Sequence, residues 1–92
     1  MIKTFRNKGL KELFETKSSA KVNPKHQARC LEMLDVINAA STIKQIDVPG
    51  YGLHQLKHIN RDLWSLKVSG AWRITFIYKG GDATDVEFTQ YH

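Results

Sequence analysis

The chain has 92 residues, a formal charge of +5 and one cysteine, which suffices for a single core that buries roughly 60 to 70% of the unfolded surface. The lone Cys30 excludes an internal disulfide and a cysteine-rich zinc site. No apolar run approaches the roughly 20 residues needed to span a bilayer, and Met1 to Phe14 lacks the apolar centre of a secretion signal, so the expectation is one cytoplasmic domain over residues 1–92. The charge is uneven: residues 1–30 hold eight Lys or Arg against two acids, residues 31–50 one against three, and residues 51–92 five against four. A basic first third suggests attraction to phosphate, although a solvated lysine-rich surface is the commoner meaning of such a bias.

In chain order, Met1 to Phe5, with Ile2 and Phe5 as its apolar members, reads as a short strand that starts a sheet. Asn7 is placed to cap a helix in which Leu10, Leu13 and Phe14 share one face while Lys8, Lys11, Glu12 and Glu15 stay in water. Thr16 to Asn23, rich in Ser and Lys, is a loop. Asn23-Pro24 starts a second, longer helix, since proline at the first helical position gives up an amide hydrogen that has no helical partner. Cys30, Leu34 and Ile37 form its central stripe, widened by Leu31 and Met33. Ser41 to Tyr51 is an irregular connection ending in Pro49-Gly50, and Gly52 to Lys57 is a further short strand.

The last third carries the organisation. Leu63 to Val68, Trp72 to Tyr78 and Ala83 to Phe88 are strand-like runs joined by Ser69-Gly70 and Lys79-Gly80-Gly81-Asp82, sequences suited to tight turns. Alternation places Trp64, Leu66 and Val68, then Trp72, Ile74, Phe76 and Tyr78, then Val86 and Phe88 on an apolar face. The opposite face receives Ser65, Lys67, Arg73, Thr75 and Glu87, with cations at its centre. The order of elements predicts an α+β domain: two helices packed on one face of a twisted, mainly antiparallel sheet of about five strands, with the other face open and suited to an anionic strand.

His54, Lys57, Arg73 and His92 could act together if the fold brings them to that face. An imidazole can exchange protons near neutral pH and fixed cations can hold a phosphate, which are the requirements for cleaving RNA by attack of its own 2′-hydroxyl, with no metal obligatory. Plainer readings stand beside this one. A lone histidine in a strand is more often a surface residue, and Arg73 could instead form an ion pair with Glu87. His54 and Lys57, three apart, cannot face one way on an uninterrupted strand, so a bulge or strand end near Leu56 is required. His26 and His58 read as solvent-facing, Trp64 and Trp72 as core, and no His, Cys or acidic pair has convincing zinc-ligand spacing.

At these residues the sequence resembles the HigB toxins, a branch of the RelE/ParE toxin superfamily. The resemblance is carried by Met1-Ile2-Lys3-Thr4-Phe5-Arg6-Asn7-Lys8-Gly9-Leu10, Leu53-His54-Gln55-Leu56-Lys57, Trp64-Ser65-Leu66-Lys67-Val68, Trp72-Arg73-Ile74-Thr75-Phe76, Gly81-Asp82-Ala83 and the terminal Tyr91-His92. It implies a ribosome-dependent endoribonuclease that cuts messenger RNA in the aminoacyl site of the small subunit, needs no cofactor, and is neutralised by a helix-turn-helix antitoxin of the HigA type. Carried over residue by residue, it puts His54, Lys57, Arg73, Tyr91 and His92 in the active site. Lys57 and Arg73 would hold the phosphate, Tyr91 would bind substrate together with Lys67 of the cationic face, and His92 would do acid or base work. The chain departs from the family pattern at His58, where glycine is usual, and at Gln90, where an acid is usual. The first departure bears on the loop that places Lys57, the second on a group that could orient the site.

Two other functions fit a basic α+β domain. A ParE-like protein would poison DNA gyrase without nuclease chemistry, and a plain nucleic-acid-binding domain would not be toxic. The set His54, Lys57, Arg73 and His92 favours the nuclease, because a binder has no need of it.

Overall fold

The computed structural model describes residues 1–90. Proline lacks an amide hydrogen and its φ is already helical, and α2 (Pro24–Ala39) begins at Pro24 with the Asn23 side chain accepting from the Lys25 amide at 3.1 Å. The first helix, α1 (Lys8–Thr16), starts differently. Asn7 stands at its N-cap, yet its side chain makes no cap hydrogen bond and accepts instead from the backbone amide of Phe88. The expected capping role is therefore wrong in its chemistry: the tie to the sheet displaces the tie to the helix.

Among the described residues four strands form one antiparallel sheet in the order β1 (His54–Gln55), β2 (Leu63–Ser69), β3 (Trp72–Lys79) and β4 (Asp82–Gln90). Gly70 and Gly80 take positive φ, at 55° and 57°, in the two connecting turns, a conformation that costs glycine nothing. The count is one below the expected five. Met1 to Phe5 does run along the outer edge of β4, but parallel to it and only through two bridges, Ile2 with Ala83 and Phe5 with Val86. Continuity is broken by a bulge in β4, where Asp85 takes a φ of 52° and the ladder to β3 skips between Thr75 and Ile77. The extra residue lets both Ala83 and Val86 face the core despite their odd spacing. Thr4 holds the bulge, its hydroxyl oxygen accepting from the Asp85 amide at 2.8 Å and its carbonyl from Val86 at 3.1 Å.

The core lies between the helices and one sheet face. Leu10 and Leu13 from α1 and Cys30, Met33, Leu34 and Ile37 from α2 meet Leu66, Ile74, Phe76 and Val86. Each such large side chain contributes about 1.5 to 3 kcal/mol by leaving water, so Ile74→Asp at the centre of β3 would be among the most damaging single changes. Ser41 to Tyr51, expected to be irregular, contains a 3₁₀ turn over Ile43–Ile46 that buries Ile46. Among the described residues no helix is long and apolar enough to cross a membrane.

Candidate functional site

Strand pairing sorts the polar face into rows. In one row His54 faces Ser65 across β1 and β2, Ser65 faces Thr75, and Thr75 faces Glu87. In the next, Lys67 faces Arg73 and Arg73 faces Thr89. Directly opposed residues in an antiparallel pair have Cβ atoms about 4.5 to 5.5 Å apart, and rows two residues apart are separated by about 7 Å. The strand ladder thus gathers His54, Lys67 and Arg73 on one surface from three separate strands. Ser65 and Thr75, within the first of these rows, are buried at 3% and 8% exposure.

Arg73 is half-buried, and its Nη1 donates to the carbonyls of Gly70 at 2.6 Å and Trp72 at 3.1 Å. These bonds fix the guanidinium at the β2–β3 turn and leave other N–H groups of the fork for a ligand. An ion pair with Glu87 does not form: the ion pairs among the described residues are Met1 with Asp82, Arg29 with Glu32 and Lys79 with Asp62.

Lys67 is exposed, but its backbone is held on two sides. Its amide donates to the Tyr51 carbonyl at 2.8 Å, and Arg29 reaches across from α2 to the carbonyls of Gly50 at 2.7 Å and Lys67 at 3.4 Å. Arg29 also lies over the Tyr51 ring at 5.0 Å, and the Tyr51 hydroxyl donates to Glu32. Burial, and then the bond to Glu32, push the Tyr51 hydroxyl up to about 12, so it remains a neutral donor at physiological pH. Sequence reasoning missed this clamp. Its members are scattered over α2, the Pro49-Gly50 turn and β2, and only the fold joins them.

Lys57 is placed differently from His54. The β1 strand ends at Gln55, as the spacing of His54 and Lys57 requires, and Leu56 to Asn60 form a helical turn in which the amides of Ile59 and Asn60 both donate to the Leu56 carbonyl at 3.0 Å. Lys57 is exposed on that turn, beyond the end of the strand, and not in the sheet rows. The strand expected over Gly52 to Lys57 shrinks to two residues because Gly52, with a φ of 59°, still belongs to the preceding loop. Tyr91 and His92 lie outside the described residues.

His26 corrects another expectation. It is not solvent-facing but 4% exposed, packed against Trp72 and Phe88 with ring centroids 5.7 and 5.6 Å away. Trp64 and Trp72 do pack against the core, both partly buried. Cys30 is no nucleophile, since complete burial pushes its thiol up to about 12. Among the described residues no group of three or more His, Cys, Asp or Glu could hold a metal ion.

On the open face, a cationic pair beside an imidazole can bind a phosphodiester and move a proton next to it. Comparison with known proteins shows the family. The family model described as the RelE-like toxin of the type II toxin-antitoxin system HigB matches residues 3–92. A curated relative, the endoribonuclease HigB of Proteus vulgaris, is 38% identical over 92 residues, covering 100% of both chains.

Proposed function

Because the chain belongs to the HigB-like family of RelE-like toxins from type II toxin-antitoxin systems, we propose that it is an endoribonuclease that cuts messenger RNA engaged in the aminoacyl site of the ribosome. The single observation that carries this reading is the direct opposition of Lys67 and Arg73 in the row next to His54, on the sheet face opposite the helix-packed core. Membership of a toxin-antitoxin family implies a cognate antitoxin. We assign that partner to the helix-turn-helix type and the site of action to the cytoplasm.

The reaction needs no external nucleophile. A base removes the proton of the ribose 2′-hydroxyl, the 2′ oxygen attacks the adjacent phosphorus, and the bond from phosphorus to the 5′ oxygen breaks. An acid returns a proton to that oxygen, leaving a 2′,3′-cyclic phosphate and a 5′-hydroxyl. Arg73 and Lys67 hold the phosphate as negative charge gathers on the crowded phosphorus, with Lys57 reaching in from its turn. His54 serves one proton transfer and His92 the other, while Tyr91 holds the substrate. The departure at Gln90 removes an acid from the end of β4, and Glu87, on the open face opposite Thr75, is the carboxylate nearest that role in the sheet rows.

The test is translation in a purified system with a defined message. Cuts that appear only when ribosomes are engaged on the message, ending in a cyclic phosphate, support the reading. An intact message with inhibited gyrase, or slowed translation without cuts, would overturn it.

A further inference from the structure

A second cleft lies on the other side of the sheet, between the starts of the two helices. It encloses about 590 Å³, and its rim carries Arg6, Lys8 and Lys21, while His26, Trp72 and Phe88 form its floor. That size is within the ordinary range of small-molecule sites. The three rim cations are exposed members of the basic first third, and none of them takes part in an ion pair among the described residues.

Three observations point to an anionic, ring-bearing ligand. The first is the start of α1. Asn7 turns its side chain to Phe88 and does not cap the helix, and the amides of Lys8, Gly9 and Leu10, which precede the first helical bond from Lys11 to Asn7, have no partner among the described residues and lie at the cleft wall. Gly9 makes this approach possible, since a Cβ there would come within 2.7 Å of the Lys21 Cβ and push the loop bearing that cation away. The second is His26, which is 4% exposed and forms no side-chain hydrogen bond among the described residues. Its ring is among the groups that line the cleft. The third is the floor: Trp72 and Phe88 stack with centroids 4.7 Å apart at 22°, a flat aromatic surface that remains partly exposed.

We propose that this cleft is a second binding site, separate from the open face, that takes a nucleotide unit. The phosphate would sit at the uncapped start of α1 between Arg6, Lys8 and Lys21, and the base would lie against Trp72 with His26 reading its edge or the ribose. A helix N-terminus with surrounding cations suits a phosphate. A neutral imidazole offers one donor and one acceptor, and an aromatic face stacks any base. The nucleotide can come from an RNA strand or from the free pool, and the chemistry recognised is the same.

The test uses the full chain and NMR titration with adenosine 5′-monophosphate, adenosine and inorganic phosphate. The site requires that the monophosphate shift the amides of Lys8, Gly9 and Leu10 together with the Trp72 indole, at a concentration at least tenfold below that needed by phosphate or adenosine alone. Lys8→Glu and Lys21→Glu should each weaken binding about tenfold, while Lys44→Glu, an equal charge change on the 3₁₀ turn, leaves it unaltered. Competition by a hexaribonucleotide without terminal phosphates identifies an RNA strand as a source, and failure to compete assigns the site to free nucleotides. Lack of shifts at millimolar monophosphate, equal binding of inorganic phosphate, or an equal effect of Lys44→Glu would each overturn the proposal. Cleavage of message is not the readout, so failure here leaves the open-face nuclease standing.

Discussion

Lys67 and Arg73 are direct partners across β2 and β3, and each is fixed by a different device. Arg73 is anchored through its own guanidinium to the turn that joins the two strands, whereas Lys67 is anchored through its backbone by the Gly50 to Tyr51 loop and by Arg29 from α2. Two like charges brought face to face repel each other, and the phosphate of the proposed reaction would relieve that repulsion.

The Arg29 clamp gives the first prediction. Arg29→Met keeps an unbranched side chain but removes the guanidinium that lies over Tyr51 and donates to Gly50 and Lys67. It should lower stability by about 1 kcal/mol and reduce message cleavage several-fold by loosening Lys67. Chemical denaturation and single-turnover kinetics check the two effects. Cleavage equal to the parent in a destabilised variant would make the clamp purely structural.

Asn7 gives the second. Asn7→Ala leaves the Phe88 amide without its acceptor, a loss of about 1 to 2 kcal/mol for a part-buried donor. The variant should unfold at lower temperature with the content of α1 unchanged, because Asn7 contributes no side-chain cap to that helix. Circular dichroism separates the two readings: a selective loss of helix would mean that Asn7 caps α1 after all.

His26 gives a dependence on pH. Burial, and then the charge of Lys25, lower its pKa from 6.5, and Arg6, Lys8 and Lys21 around the same cleft are of the same sign, while Trp72 and Phe88 packed against the ring are uncharged. The folded state therefore holds the neutral ring and the unfolded state binds the proton more readily. Stability is flat above about pH 6.5 and falls as pH drops below it, levelling only beneath the lowered folded value. The difference in melting temperature between the parent and His26→Phe should grow in favour of the variant as pH goes from 7 to 5. A difference independent of pH would show that His26 does not titrate with folding.

His54→Gln preserves a polar side chain of similar reach and removes proton exchange. Cleavage of a ribosome-bound message should fall by a factor on the order of 100 or more, within the usual range for a lost acid or base. Melting temperature should hold, because His54 is exposed. A loss of less than about threefold would take His54 out of the proton transfers.

Much of this was legible in the sequence because alternation is a local signal. The faces of β2 and β3 followed from Trp64 to Val68 and Trp72 to Tyr78, and with them the placement of Lys67 and Arg73. The strand end before Lys57 followed from the three-residue spacing of His54 and Lys57. The rest depended on contacts between distant residues. Asn7 looked like a cap because the residues after it are helical, but its partner is Phe88, 81 positions away. The β4 bulge at Asp85 is held by Thr4 and hides from any periodic reading of Ala83 to Phe88. His26 reads as solvent-facing in the sequence, yet the Trp72 and Phe88 rings that pack against it belong to strands near the other end of the chain.

The most direct test of the open-face account is single-turnover cleavage of a ribosome-bound message by Arg73→Lys, compared with the parent at equal ribosome occupancy. Lysine keeps the charge but lacks the planar fork that is anchored on Gly70 and Trp72 and can still present N–H groups to a phosphate. The account predicts a rate lower by about 100-fold with folding retained, in line with the loss of one preorganised donor to a transition-state anion. A rate within about twofold of the parent would contradict it and make Arg73 a structural residue of the β2–β3 turn.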